Sequence, residues 1–349
     1  MGNGRELSCV VARQVALENA IAALRRRYGD QIIRMAADAP VLAGAVGSGA
    51  LSTGSLSLDL LTGGLPRGQI SEIAGPDGAG KGTLAYAALA ACQRAGGLAL
   101  LVDADNAADP DALRAAGVDL TRLLLAYPAG AAAAWDVLGA LVRCGALDLL
   151  TLTSLNGLLI LPGAGWASGS LERRLTRLAT ALRGRRTALL MTNLPLPLPE
   201  GTDAATLATA APRATVGGAA VARVAALRIA LAPAGVRFTP YGDVASLCST
   251  ATAVRRHASP CGGSVTLEIE AGGPRRAAEL IALAEACGCV AHTPLGLLAG
   301  GVVLGRTTER AAATLEADPT LAATLEADVR AVWERRLPSA PPAGLERAG

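Results

Sequence analysis

The residues best suited to chemistry are Gly75-Pro76-Asp77-Gly78-Ala79-Gly80-Lys81-Gly82-Thr83, and within them Lys81, the only lysine of the chain. The other 31 of its 32 basic residues are arginines. Arginine is a broad planar fork, whereas lysine is a slim point charge on a flexible stem. A phosphate-binding loop needs the second kind. Its glycines let backbone N–H groups wrap the phosphates while one ammonium reaches the β/γ oxygens. Chance placement of both flanking motif glycines in a chain with 41 of them has a probability of roughly one in seventy, so a phosphate loop is the better reading.

A loop of this kind must be held between a strand and a helix. Ile70–Ala74 is a short apolar run before it, and from Leu84 to Ala91 good helix formers follow it. Further near-continuous apolar runs at Ala99–Val102, Leu147–Leu152, Ala188–Thr192 and Leu227–Leu231 predict strands buried on both faces of a parallel sheet. Helical stretches alternate with them, notably Leu171–Leu182, giving a wound α/β sheet with its ligand at the carboxyl ends of the strands. Leu17, Ile21, Leu24 and Tyr28 fall on one face of an N-terminal helix. That stripe must pack on its own core or on a neighbouring subunit. The segment 195–218 has little periodicity and reads as a long loop, of the kind that is usually functional or disordered. After about residue 273 a smaller α/β module follows, closed by a helix opened at Asp318-Pro319.

Composition narrows the classes. With 349 residues and 51% apolar content the chain buries a real core, and its net charge of +3 permits a nucleic-acid partner without demanding one. The seven cysteines contain no CxxC pair, so they read as small apolar packing groups in a reducing compartment rather than a zinc site; Cys287-Gly-Cys289 is read the same way. No apolar signal core opens the chain, and the most apolar stretch, 145–167, carries Asp148, Asn156 and Pro162. A cytoplasmic chain with no membrane partner is expected.

Three blocks together are more specific than the loop alone: Ser52-Thr-Gly-Ser-Leu-Ser-Leu-Asp59, Gly63-Gly-Leu-Pro-Arg-Gly68, and Val102-Asp-Ala-Asp-Asn-Ala-Ala-Asp-Pro110 after the phosphate loop. With them the sequence resembles the bacterial RecA recombinase family over nearly its whole length. The resemblance implies a RecA-type P-loop NTPase core of α/β class, with a wound, mostly parallel sheet. It implies an N-terminal oligomerisation helix and linker over 1–42, the core over 43–272, a small C-terminal α/β domain over 273–337 and a loose tail over 338–349. It also implies ATP and Mg2+ as ligands and a helical filament on single-stranded DNA. The implied role is homologous recombination and repair of DNA damage, with the associated SOS response.

Carried over position by position, the family's chemistry is partly present. Gly75, Gly80, Lys81 and Thr83 match the phosphate loop, but the hydroxyl position that holds Mg2+ is Gly82. The glutamate that activates water aligns with Asp105, one methylene shorter. Asp109, beside the adenine, is kept, whereas the aromatic that stacks on the base aligns with Ala112. The acidic residue ending the Walker B strand aligns with Thr153, and the glutamine that senses the γ-phosphate aligns with Leu194. Of two lysines that reach ATP across the subunit boundary, one aligns with Arg256, acting in trans, and the other with Val254; His257 beside them reads as an ordinary surface histidine. Of the DNA-facing loops, the second offers Arg213 and the pair Gly217-Gly218. Arg173, Arg174, Arg177, Arg183, Arg185 and Arg186 near the first are either phosphate contacts or a solvated face paired with Glu172.

Three functions follow from this reading: an ATP-using recombinase with weak hydrolysis, a catalytically impaired paralogue serving as a repair scaffold, and a P-loop nucleotide kinase, whose loop shares the wording Gly-Lys-Gly-Thr.

Overall fold

The structure, a computed structural model, describes residues 3–29, 33–35, 49–164, 169–196, 215–238, 241, 243–256 and 263–336. Two compact units divide at Arg275/Arg276.

The first unit is built on one ten-stranded sheet. Its parallel centre consists of β2 (Ile70–Ala74), β3 (Ala99–Asp103), β4 (Leu123–Ala126), β5 (Leu149–Thr153), β6 (Ala188–Asn193) and β7 (Ala225–Phe238). The spatial order is β1-β4-β3-β5-β6-β2-β7-β8-β9-β10. Antiparallel strands extend it at both sides: β1 (Ile33–Met35) on β4, and β8 (Val244–Arg256), β9 (Ser264–Glu270) and β10 (Gly273–Pro274) beyond β7. The continuous apolar runs are explained by two-sided burial. Leu100 and Val102 of β3 enter the core on one face of the sheet, and Ala99 and Leu101 enter the core on the other.

Helices α1 (Asn3–Tyr28), α5 (Ala131–Cys144), α6 (Leu155–Ile160), α7 (Ser170–Leu182) and α8 (Gly218–Val224) pack on the first face. Helices α2 (Leu56–Thr62), α3 (Lys81–Arg94) and α4 (Pro110–Ala115) lie with the second. The expected α/β class with a mostly parallel wound sheet is what the chain forms.

Two of the expected strands have clearly different bounds in the structure. The run at Leu147 becomes a strand only from Leu149, because the N–H groups of Asp148 and Leu149 both donate to Leu98 O and the Asp148 side chain is held by arginines. Strand β7 runs over Ala225–Phe238, well past the expected Leu227–Leu231. A register shift between Pro233 and Gly235 absorbs the proline, and β7 pairs with β8 as a long hairpin.

Helix α1 is seated on α5 of its own chain, with Leu17 and Leu24 buried. Arg13 donates to Ala146 O and to Asp148, and the Tyr28 hydroxyl donates to Asp136. The sheet runs on through Gly273–Pro274, and the second compact unit starts at Arg276. It holds α9 (Arg276–Cys287), a three-stranded antiparallel sheet of β11 (Val290–Thr293), β12 (Gly296–Ala299) and β13 (Val302–Gly305), then α10 (Thr308–Ala317) and α11 (Pro319–Arg336). Asp318 caps α11 by accepting from the N–H groups of Thr320 and Leu321, and Glu326 of α11 pairs with Arg276 and Arg330. The tail 338–349 lies outside the described residues.

Candidate nucleotide site

Strand β2 ends at Ala74 and α3 begins at Lys81, so the loop Gly75–Gly80 is the only link between a buried strand and a 14-residue helix. Gly80 sits at the N-cap of α3 with φ of 85°, a conformation that L side chains rarely adopt, and a β-carbon there would lie 2.6 Å from Ile269 Cδ1. No side chain caps α3 and no acidic residue stands in its first turn. Its free N–H groups and the positive end of its dipole therefore face the loop's concave side, which suits an anion.

Lys81 Nζ donates to Pro76 O at 2.7 Å and approaches Asp77 Oδ1 at 3.5 Å. Burial lowers its pKa, against opposing pulls from Asp77 and Asp105. The ammonium is folded over the loop, with one short bond to a loop carbonyl and one long contact to Asp77 that phosphate oxygens would replace.

The loop opens into a cavity of about 520 Å3. The structure brings together there Asp77, Gly78, Gly80, Lys81, Gly82 and Thr83 with Asp105 and Asp109. Gly75, Pro76 and Ala79 complete the loop behind them. Ala112, Thr153 and Leu194 line the same cavity, so the positions where the family's aromatic, acid and glutamine are replaced all face the site.

Asp105 is positioned from its neighbours. Its N–H donates to Thr153 O at 3.2 Å, and Ser154 Oγ donates to Asp105 Oδ1 at 3.0 Å while capping α6 through Gly157 N. Burial in the cavity wall raises the Asp105 pKa; the Ser154 hydrogen bond opposes that shift and the charge of Asp103 adds to it. A β-carbon on Gly157 would lie 1.7 Å from Asp105 Oδ1, so the glycine makes the room that the carboxylate occupies. Gly157→Ala is therefore expected to leave the melting temperature within about a degree of wild type, since Ala suits a helix better than Gly. Any phosphate release should nevertheless fall about tenfold or more as Asp105 is displaced, measured by steady-state phosphate detection beside a thermal melt.

Two titratable cavity residues escaped the sequence reading. Tyr86 projects from the second turn of α3 to the wall shared with Asp109 and Ala112, and the Asp109 amide hydrogen-bonds its hydroxyl. An aromatic surface is thus supplied from α3 at the end of the site where α4 carries Ala112. Nothing in Leu84-Ala-Tyr-Ala-Ala distinguishes Tyr86 from a packing residue. Asp103, at the end of β3, is the other. Its Oδ2 accepts from Ala108 N at 2.7 Å, closing the loop that carries Asp105, while its Oδ1 is buried with no hydrogen-bond partner. The oxygen donors at this end, from Thr83, Asp103, Asp105, Thr153 and Ser154, are the type a hard divalent cation such as Mg2+ takes.

The predicted DNA-facing residues are brought only partly together. Gly217 and Gly218 open α8, and a β-carbon on Gly217 would lie 3.1 Å from Leu171 Cδ2, so this end of the second loop abuts α7. Arg173 is exposed on α7. Arg174 stacks over the Trp135 ring at 5.7 Å, and Glu172 pairs with Arg223 rather than with its helix neighbours. A buried network ties the same loop end to the sheet. Asn193 Nδ2 donates to Glu72 and to Val216 O, and Arg228 bridges Glu72 and Thr215. Arg213 and His257 lie outside the described residues, as does the side chain of Arg256, whose backbone pairs with Leu227 at the end of β8.

The family model described as the RecA N-terminal domain matches residues 15–235, more than half of the chain. The chain belongs to the RecA family. Similar proteins include Protein RecA of Cereibacter sphaeroides, 30% identical over 90% of this chain and 93% of its own length, and Protein RecA of Thermus thermophilus, 29% identical over 91% and 94%. Protein RecA of Salinispora arenicola is 40% identical over 44% of this chain, and that match spans 43% of its own length. RecA-like identity thus extends past the phosphate loop on both sides, which leaves the kinase reading without support. Among the described residues, no helix is long and apolar enough to cross a membrane.

Proposed function

We propose that this RecA-like chain acts in DNA recombination and repair, binding ATP in the cavity above the Gly75–Thr83 loop and single-stranded DNA on the face of α7 and the 195–218 loop. The observation that carries the reading is the cradle itself: a left-handed Gly80 opening an uncapped α3, with the lone Lys81 folded over it. Lys81 would hold the β/γ oxygens, Tyr86 and Asp109 the base end, and Asp105 the attacking water, with Arg256 of a neighbouring subunit offsetting charge. Bound magnesium would supply charge neutralisation at the β/γ oxygens. Hydrolysis is slow because Asp105 is short and Thr153 and Leu194 bring neither the acid nor the sensing amide. Those same two residues favour, as a second reading, a repair scaffold that binds ATP without turnover.

In a filament, helix α1 would leave α5 of its own chain for α5 of a neighbour. Arg173 would contact DNA phosphates, whereas Arg174 would hold Trp135.

A gain-of-function substitution tests the nucleotide reading. No atom lies within 4 Å of where a β-carbon on Gly82 would stand. Gly82→Thr is expected to tighten magnesium-ATP binding about tenfold by restoring a hydroxyl ligand, with the metal-free affinity unchanged. Calorimetric titration with a non-hydrolysable ATP analogue checks it. Equal effects with and without magnesium would refute the placement of the metal at the head of α3.

A further inference from the structure

Strand β5 reaches the cavity with Thr153, at the position that aligns with the family's Walker B acid. One strand across, β3 reaches the same level: Asp103 and Thr153 are direct register partners in the parallel β3–β5 pair. Asp103 lines the cavity and its residue is only 2% exposed. A buried carboxylate oxygen normally finds a donor, and leaving one unmade is costly. Here Oδ2 takes the Ala108 N–H, whereas Oδ1 has no partner. Closing the 103–108 loop explains one oxygen and not the other.

The groups around that oxygen narrow its partner to a cation. Asp105 stands two residues along and is itself influenced by the charge of Asp103, and Asp77 and Asp109 line the same cavity. Lys81, the one ammonium, is turned to Pro76 O and Asp77. Thr153 carries its hydroxyl in the same wall, and Thr83 lies at the head of α3. A hard divalent cation with its water shell suits a lone carboxylate oxygen flanked by hydroxyls.

Resting on the nucleotide reading above, we propose that Asp103 anchors the magnesium that accompanies the nucleotide, directly or through one bound water, so that the carboxylate missing from β5 is supplied by β3.

The experiment is titration of a non-hydrolysable ATP analogue into the full chain, once with magnesium and once with EDTA, for wild type, Asp103→Asn and Thr153→Asp. Wild type should bind at least tenfold tighter with magnesium. Asp103→Asn should lose that gain while its EDTA affinity stays within about twofold of wild type, an effect of the size that groups around a metal give. Thr153→Asp, with Asp103 intact, should change the gain by less than about threefold. A full magnesium gain in Asp103→Asn overturns the inference, as does a tenfold rise in Thr153→Asp, which would mean that wild type lacks an anchoring carboxylate. Equal weakening of Asp103→Asn in both conditions also overturns it, by assigning Asp103 to the loop alone. If wild type binds the analogue with no magnesium gain, this inference fails and the nucleotide reading stands. If wild type binds in neither condition, both fail.

Discussion

Lys81→Ala is expected to weaken ATP binding about a hundredfold or more, roughly 3 kcal/mol, without unfolding the chain. Two charge-assisted hydrogen bonds to phosphate oxygens are at stake, each contributing about 1.5–3 kcal/mol. Nothing else described in the loop carries positive charge to replace them, because Lys81 is the only lysine and no arginine lines the cavity. Stability should move little and in a defined direction. Burial holds the Lys81 pKa below that of a free lysine, so its charge disfavours the folded state at neutral pH. That cost fades as pH rises through the ordinary lysine range. The variant should therefore be as stable as wild type or slightly more so at neutral pH, and the difference should close in alkali. Lys81→Arg should fail to restore binding, since a planar fork does not fit where Nζ turns back onto Pro76 O. Nucleotide titration beside urea denaturation separates the two effects; tight binding by Lys81→Ala would show that the helix N-terminus alone suffices.

The second large effect falls on folding. Asp148→Ala is expected to cost about 3–5 kcal/mol, because it strands three arginines that share one buried carboxylate. Arg186 reaches Asp148 at 2.5 Å, Arg67 at 2.9 Å and Arg13 at 3.1 Å, and the Leu98 amide donates to it at 3.0 Å. Burial pushes the Asp148 carboxyl up, but the Leu98 amide, Arg186, Arg13 and Arg67 outweigh it and hold the carboxyl below the usual range. Its contribution is thus present above the carboxylate pKa of the unfolded chain and is lost as pH falls through the lower folded value. Wild type and variant should converge in acid. Because Arg13 belongs to α1, the variant should also loosen that helix, visible as faster amide exchange in 11–28 than in α5. A denaturation midpoint unchanged at neutral pH would contradict the assignment.

Sequence and structure agree at continuous apolar runs such as Ala99–Val102 and Ala188–Met191, though not at β4 (Leu123–Ala126), an equally buried run absent from the expected strands, and they agree where a loop motif imposes its own backbone, as at Gly80. The antiparallel strands β8 and β9 were missed because they are only half buried and mix Ser, Thr and Ala with charge. Within the site, Lys81, Asp105 and Asp109 were legible from motif spacing. Asp103 was not, since it sits in Val-Asp-Ala-Asp and its isolation is visible only once Oδ1 is seen without a donor. Gly157 was invisible for a different reason: its meaning is the space it leaves for a side chain 52 positions earlier. Asp148 read as an interruption in an apolar stretch, and only the folded chain shows arginines from three separate segments converging on it.

A working phosphate cradle joined to weak turnover sets this chain apart from a fully equipped ATPase. The most direct measurement records ATP binding and phosphate release together on the same wild-type sample, with and without single-stranded DNA. The expected result is saturable ATP binding at one site per chain, single-stranded DNA held more tightly when ATP is present, and phosphate release slower than about one per second, the low end of ordinary enzyme turnover, even when DNA is saturating. Absence of saturable binding, or rapid DNA-stimulated release, would contradict it.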